Sequence, residues 1–190
     1  MVNSSYAGTP LADITSLSYS TYGHGASTVF APSLQLDVDY DLTDLNTAWQ
    51  GRLVYEPYQN GIVTPETWQS WSPLDGVWWA SGAPGNALCP QSNPCTWAAV
   101  LAAFPNAGIR TTAGNINFKV GGPWTGGFTG NVDAFIIGVN GEETVFNFEA
   151  QEPLVAPPTT KDQCKNDGWQ TFNNPSFKNQ GQCIKYVNGL

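Results

Sequence analysis

The sequence predicts an all-β fold: an antiparallel β-sandwich of jelly-roll type, with one short helix and a disulfide-closed C-terminal tail. Three observations carry that expectation. Residues 33–41 (SLQLDVDYD) alternate strictly, with Leu34, Leu36, Val38 and Tyr40 on one parity and Gln35, Asp37, Asp39 and Asp41 on the other. That is the period of a strand with one buried face and one wet, acidic face. The 190 residues include 20 glycines and 14 prolines, and only 12% are charged, against about 25% in an average domain. Finally, Asn140-Gly141 lies between runs dense in Val, Ile and Phe, a strong signal for a type I′ hairpin turn.

Residues 1–12 are a polar, turn-rich lead-in. Residues 14–22 (ITSLSYSTY) alternate again, placing Leu17 and Tyr19 inward. After the acidic strand, residues 41–46 form a loop, and residues 48–58 the next strand, broken by Pro57. Residues 66–80 predict a hairpin, two tryptophan-bearing arms around Ser72-Pro73-Leu74-Asp75-Gly76. The runs 33–41, 48–58 and this hairpin are expected to be antiparallel neighbours. A helix follows, with Asn93 as N-cap and Pro94 at its first position. Trp97, Val100, Leu101 and Phe104 recur at helical spacing, and Pro105 and Gly108 end it. Residues 109–120 return to strand. The glycine-rich loop 121–130 carries Trp124 and Phe128; no lysine-serine pair follows, so it is no phosphate cradle. Residues 131–139 and 143–149 close the series as a hairpin expected at the centre of the core.

Three regions result: a β-sandwich over 1–150, a proline-rich linker over 151–160, and a small module over 161–190 that needs a covalent staple to fold. Four cysteines allow three pairings. The break at the linker favours the two local ones, Cys89 with Cys95 and Cys164 with Cys183. No C-x-x-C spacing supports zinc. Disulfides point to an oxidising, extracellular compartment. No signal peptide precedes Val2, so an export signal is expected outside this sequence.

The net charge of −8 is unevenly divided. Residues 1–160 carry thirteen acids against Arg52, Arg110 and Lys119, whereas residues 161–190 carry four lysines against two aspartates. Such a body repels phosphate, so neither nucleic acid nor an anionic membrane is an expected partner. The longest apolar run, residues 97–104, is far short of the roughly 20 residues of a spanning helix.

The segments SLQLDVDYDLTDLNTAWQGRLVYEPY, WQSWSPLDGVWW, NPCTWAAVLAAFPNAGI and GNVDAFIIGVNGEETVFNFE together resemble a secreted bacterial β-jelly-roll domain of unassigned function. The tail KDQCKNDGWQTFNNPSFKNQGQCIKYV resembles a short C-terminal module of secreted bacterial proteins. The resemblance implies a shape similar to concanavalin-like lectins and carbohydrate-binding modules. It also implies that Asp133, near the start of the penultimate strand, helps to hold the loops. One departure stands out. The family pattern carries a strand before the segment matching residues 6–22, and only about a dozen residues precede Ile14 here. A missing strand would leave a sheet edge open to self-association.

Candidate chemistry concentrates between residues 33 and 79. Trp68 and Trp71 differ in parity, as do Trp78 and Trp79, so one indole of each arm is expected in the core and one outside. An exposed indole fits the apolar face of a pyranose, and Gln69, Tyr58 and Glu56 are candidate partners for its hydroxyls. A glycan or other cell-surface polymer is therefore the expected ligand, and adhesion the expected role. Asp37, Asp39 and Asp41 are candidate calcium ligands, the hard oxygen donors that ion takes. Alternate strand carboxylates lie about 7 Å apart, so two at most reach one ion; the competing reading is a solvated acidic face. His24 is the sole histidine, and this argues against transition metals and histidine-dependent nucleophilic catalysis. A glycosidase needs only two carboxylates, and Glu56 with Glu149 is the best pair, but neither VYEPY nor NFEAQEP carries a glycosidase motif. A non-catalytic binding module is expected ahead of a self-associating surface subunit, and a glycosidase last.

Overall fold

The computed structural model describes residues 2–121, 127–149 and 154–189; Trp124 lies outside them. The chain divides into two compact units, Met1–Phe148 and Glu149–Leu190.

The first unit is mostly β, with two antiparallel sheets enclosing one core. The strands are β1 (Val2–Asn3), β2 (Ile14–Gly23), β3 (Ser33–Asp39), β4 (Arg52–Tyr55), β5 (Gln69–Trp71) and β6 (Val77–Ala80). They continue with β7 (Cys95–Thr96), β8 (Gly108–Ile109), β9 (Ile116–Lys119), β10 (Gly130–Val139) and β11 (Glu142–Phe146). Sheet one runs β1-β9-β3-β4-β6-β7, with β8 also on β3; sheet two runs β11-β10-β2-β5. Leu17 and Tyr19 face inward from β2, as their alternation demands. The Tyr19 ring meets Tyr55 of β4 at 6.2 Å and Phe118 of β9 at 5.0 Å, bridging the layers.

The tryptophan hairpin does not form. Its first arm, β5, pairs with β2 in sheet two, and its second, β6, pairs with β4 in sheet one. Trp71 and Trp78 are both buried, at 7% and 0% exposure. Each indole is buried on its own sheet: Trp71 Nε1 donates to Thr21 Oγ1 at 2.8 Å, and the Trp78 ring packs on Tyr55 at 5.6 Å and Trp97 at 5.3 Å. The 3-10 turn Pro73–Asp75 makes the crossing, and its Pro73 carbonyl accepts the Trp78 indole N–H at 2.8 Å. The remaining neighbours, β3, β4 and β6, lie side by side as expected.

Strand β3 is buried on both parities. Gln35, Asp37 and Asp39 are only 8%, 3% and 3% exposed, so the expected wet acidic face is absent. Loops cover it. Gly51 keeps the β3–β4 register for one more residue, its carbonyl accepting the Val38 N–H, and the Gln50 side chain then reaches back so that its Nε2 donates to Asp39 Oδ1 at 3.0 Å. From the other side, the expected single strand 109–120 is split into β8 and β9. Residues 110–115 leave the sheet between them, and Asp37 exchanges backbone bonds with Asn115 and Arg110.

The helix is α3 (Trp97–Ala103), shorter than expected and capped by Thr96, whose hydroxyl accepts the Ala99 N–H. Asn93-Pro94 does not start it, because Cys95 and Thr96 are spent pairing with Trp78 and Val77. Instead of one helix there are, among the described residues, four short ones: α1 (Pro57–Asn60), α2 (Gly85–Leu88), α3 and α4 (Gln180–Asn188). Asn140 and Gly141 both take positive φ, 53° and 84°, as a type I′ turn requires. Of its arms only β10 is central; β11 is an exposed edge bearing Glu142 and Glu143. A bulge between Asp133 and Ile136 resets the register of β10. There Asp133 Oδ1 accepts the N–H groups of Ala134 and Phe148, at 2.7 and 3.0 Å. The two-residue β1 pairs with β9 at one edge of sheet one.

The second unit packs Cys164, Phe172 and Cys183 at its centre, with Trp169, Phe177, Ile184 and Val187 around them. Both local disulfides form, Cys89–Cys95 and Cys164–Cys183. Two disulfides are the mark of an oxidising environment. Among the described residues no helix is long and apolar enough to cross a membrane.

Candidate functional site

On β4, Leu53 and Tyr55 enter the core, so Arg52, Val54 and Glu56 take the outer face of sheet one. The same rule turns Trp79 of β6 outward, and the register sets it beside Val54. Trp79 Nε1 donates to Glu56 Oε2 at 2.9 Å, and Gln91 Nε2 donates to the same oxygen at 3.0 Å. The backbone carbonyl of Gln91 accepts from Gln59 Nε2 at 2.9 Å. Pro57 opens the single helical turn α1, which brings Tyr58 back over Glu56. Partial burial first, and then the Glu56 carboxylate, push the Tyr58 phenol up from its usual range. Tyr58 remains 38% exposed. Gln91 itself is held within the ring closed by Cys89–Cys95.

Further along the face, Arg52 Nε donates to Asp37 Oδ1 at 2.7 Å, and Asn115 Nδ2 to Asp37 Oδ2 at 3.1 Å. The guanidinium lies 5.8 Å from the ring centroid of Trp49, a cation–π contact. Trp49 is 52% exposed. The outer face of sheet one therefore offers the exposed rings of Trp49 and Tyr58, with the half-buried Trp79 on the same face. One carboxylate stands among them, with an amide to orient hydrogen bonds.

Of the expected binding residues, Glu56, Tyr58 and Trp79 come together here. Trp71 and Trp78 do not, because they form core. Gln69 and Trp68 belong to the opposite sheet. The Gln69 amide is spent on the loop beside it, Oε1 accepting from Thr64 N–H and Nε2 donating to Ile62 O. Trp68 is 51% exposed and packs on Tyr22. Two further residues belong to this group, Trp49 and Gln91. A tryptophan three residues before the lone arginine of β4 was the available signal for Trp49; nothing local marks Gln91, which reaches Glu56 through the disulfide ring.

The expected calcium ligands are otherwise engaged. Asp37 is ion-paired to Arg52, and Asp39 Oδ1 accepts from Gln50 and from the Asp41 N–H. The Thr43 hydroxyl and N–H hold the Asp41 carboxyl below the usual carboxylate range. Among the described residues no group of three or more His, Cys, Asp or Glu side chains is placed to hold a metal ion. Glu149 opens the second unit, whereas Glu56 stands in the first.

No family model, curated protein or solved structure matches this chain.

Proposed function

We propose that the chain is a secreted, non-catalytic binding module that takes uncharged carbohydrate on the outer face of sheet one, and that its first unit is wound as a jelly roll. The observation that carries the reading is the convergence of Trp79 Nε1 and Gln91 Nε2 on one oxygen of Glu56, beside the exposed Tyr58. An indole fixed by its own hydrogen bond presents a rigid ring face. A carboxylate already desolvated on one side accepts sugar hydroxyls at lower cost than a free one. Trp49, braced by Arg52, adds a second platform on the same face. Strand neighbours that are distant in sequence, β3 beside β9 and β2 beside β10, support the jelly-roll winding.

The test is calorimetric or array binding of neutral oligosaccharides, compared with Tyr58→Ala, Trp49→Ala and Glu56→Gln. Loss of an aromatic platform should weaken binding by about fivefold, roughly 1 kcal/mol. Unchanged binding in all three variants would dismiss this face as the site.

A further inference from the structure

A second cluster of aromatic and polar side chains stands at the end of β2, on the other sheet. Tyr19, Thr21 and Trp71 point into the core, so Ser20, Tyr22, Trp68 and Ser70 take the outer side of β2 and of β5 with its approach. The Ser20 and Ser70 hydroxyls bond at 3.0 Å. One row on, the Trp68 ring rests 5.7 Å from that of Tyr22, which itself meets His24 edge-on at 5.0 Å. Glu66 closes the group. Its Oε1 accepts the Gly25 N–H at 2.9 Å, its Oε2 accepts the Tyr22 hydroxyl at 2.7 Å, and His24 Nδ1 lies 3.2 Å from Oε2.

Two features set this cluster apart from ordinary surface packing. Glu66 has φ 56°, a left-handed conformation that is unfavourable for a side-chain-bearing residue. The strain is held by its N–H donating to Gly23 O at 2.8 Å. Yet the group it positions remains open to solvent: Trp68 is 51% exposed, and the His24 and Glu66 side chains are 50% and 54% exposed. Residues held in such a conformation cluster at ligand sites. The parts are an indole platform, a fixed carboxylate with acceptor capacity left, and an imidazole beside it. These suit the ring face and adjacent hydroxyls of a pyranose. No lysine or arginine stands in the cluster, and residues 1–160 are strongly acidic, so an acidic sugar is repelled.

We propose that Trp68, Tyr22, His24 and Glu66 form a second carbohydrate site, so that one molecule bridges two chains of an uncharged, pyranose-based polymer. This rests on the binding-module reading above and adds to it a bivalent mode of action and a polymeric ligand.

The experiment uses the full chain with separate suspensions of cellulose, chitin and xylan, and reads both adsorption and particle clumping. The intact protein should adsorb to one of them and clump it. Trp68→Ala should still adsorb through sheet one but lose clumping, its polymer retention falling about tenfold with one platform gone. Glu66→Gln keeps the size of the side chain and an oxygen for the Gly25 N–H. It should behave likewise, and it guards against a folding defect. Clumping unchanged in both variants overturns the second site and leaves the first standing. Adsorption lost with Trp68 but untouched by Tyr58→Ala and Trp49→Ala supports this site and overturns the first. No adsorption of the intact protein to any neutral polymer overturns both.

Discussion

Replacing Arg52 with methionine tests how the acidic strand is tolerated inside the protein. Asp37 is 3% exposed, and its Oδ1 is met by Arg52 Nε at 2.7 Å. Removing one partner of a fully buried pair costs about 3–5 kcal/mol, because a charge is left buried without compensation. Two details lower that figure. Asn115 still donates to Oδ2, and the Arg52 side chain is itself 32% exposed, so water reaches the vacated position. The expected loss is therefore about 2–3 kcal/mol, or roughly 5–10 °C in Tm for a unit of this size. Asp37→Leu in the same background removes the orphaned charge, and the double variant should recover most of the loss. That gives a coupling energy of about 1–2 kcal/mol. Urea titration followed by tryptophan fluorescence reads all four corners of the cycle. A loss below about 0.5 kcal/mol in Arg52→Met, or strict additivity of the two changes, would refute the reasoning. Loss of the guanidinium also removes the brace under Trp49, so the sugar binding proposed for this face should weaken in the same variant.

Other outcomes follow from the same coordinates. Cys164→Ser with Cys183→Ser opens a loop of sequence separation 19, worth about 3 kcal/mol of chain entropy. The second unit should then be digested by limited proteolysis while the first survives. The Tyr40 hydroxyl is buried and finds no partner among the described residues. Tyr40→Phe should therefore be neutral or stabilising by up to about 1 kcal/mol in the same urea assay. The Gly25 N–H first, then the Tyr22 hydroxyl, hold the Glu66 carboxyl below its usual range. The stability this tie supplies is present above the unfolded value and lost as pH falls through the lower folded one. The Gly25 amide resonance should thus carry an acid-side transition whose midpoint lies below that of a free glutamate, and Glu66→Gln should lose that transition.

Much of this architecture was legible from local chemistry. Alternation marked β2 and β3, because successive side chains of a strand point to opposite faces. Asn140-Gly141 marked its hairpin, because few other pairs accept two positive φ angles. The linker pointed to local disulfides, because neighbours in the chain meet first. Opposed parity correctly split each tryptophan pair into one core and one outer indole. What it left open was where the outer ones go. Trp79 reaches Glu56 within sheet one, whereas Trp68 joins Tyr22 on sheet two, since the loop between the arms crosses the core instead of turning back.

The amino-acid order by itself determined which residues can share a face, since that depends only on backbone geometry and side-chain polarity. It could not determine what lies over a face. Asp37 and Asp39 look solvated until the side chains of Arg52, Asn115 and Gln50 close on them and supply donors. Gln91 looks like loop filler until the disulfide ring carries it to Glu56. Both outcomes depend on contacts between segments tens of residues apart. Such contacts are decided by how two sheets fill one core, and no short stretch of sequence encodes that.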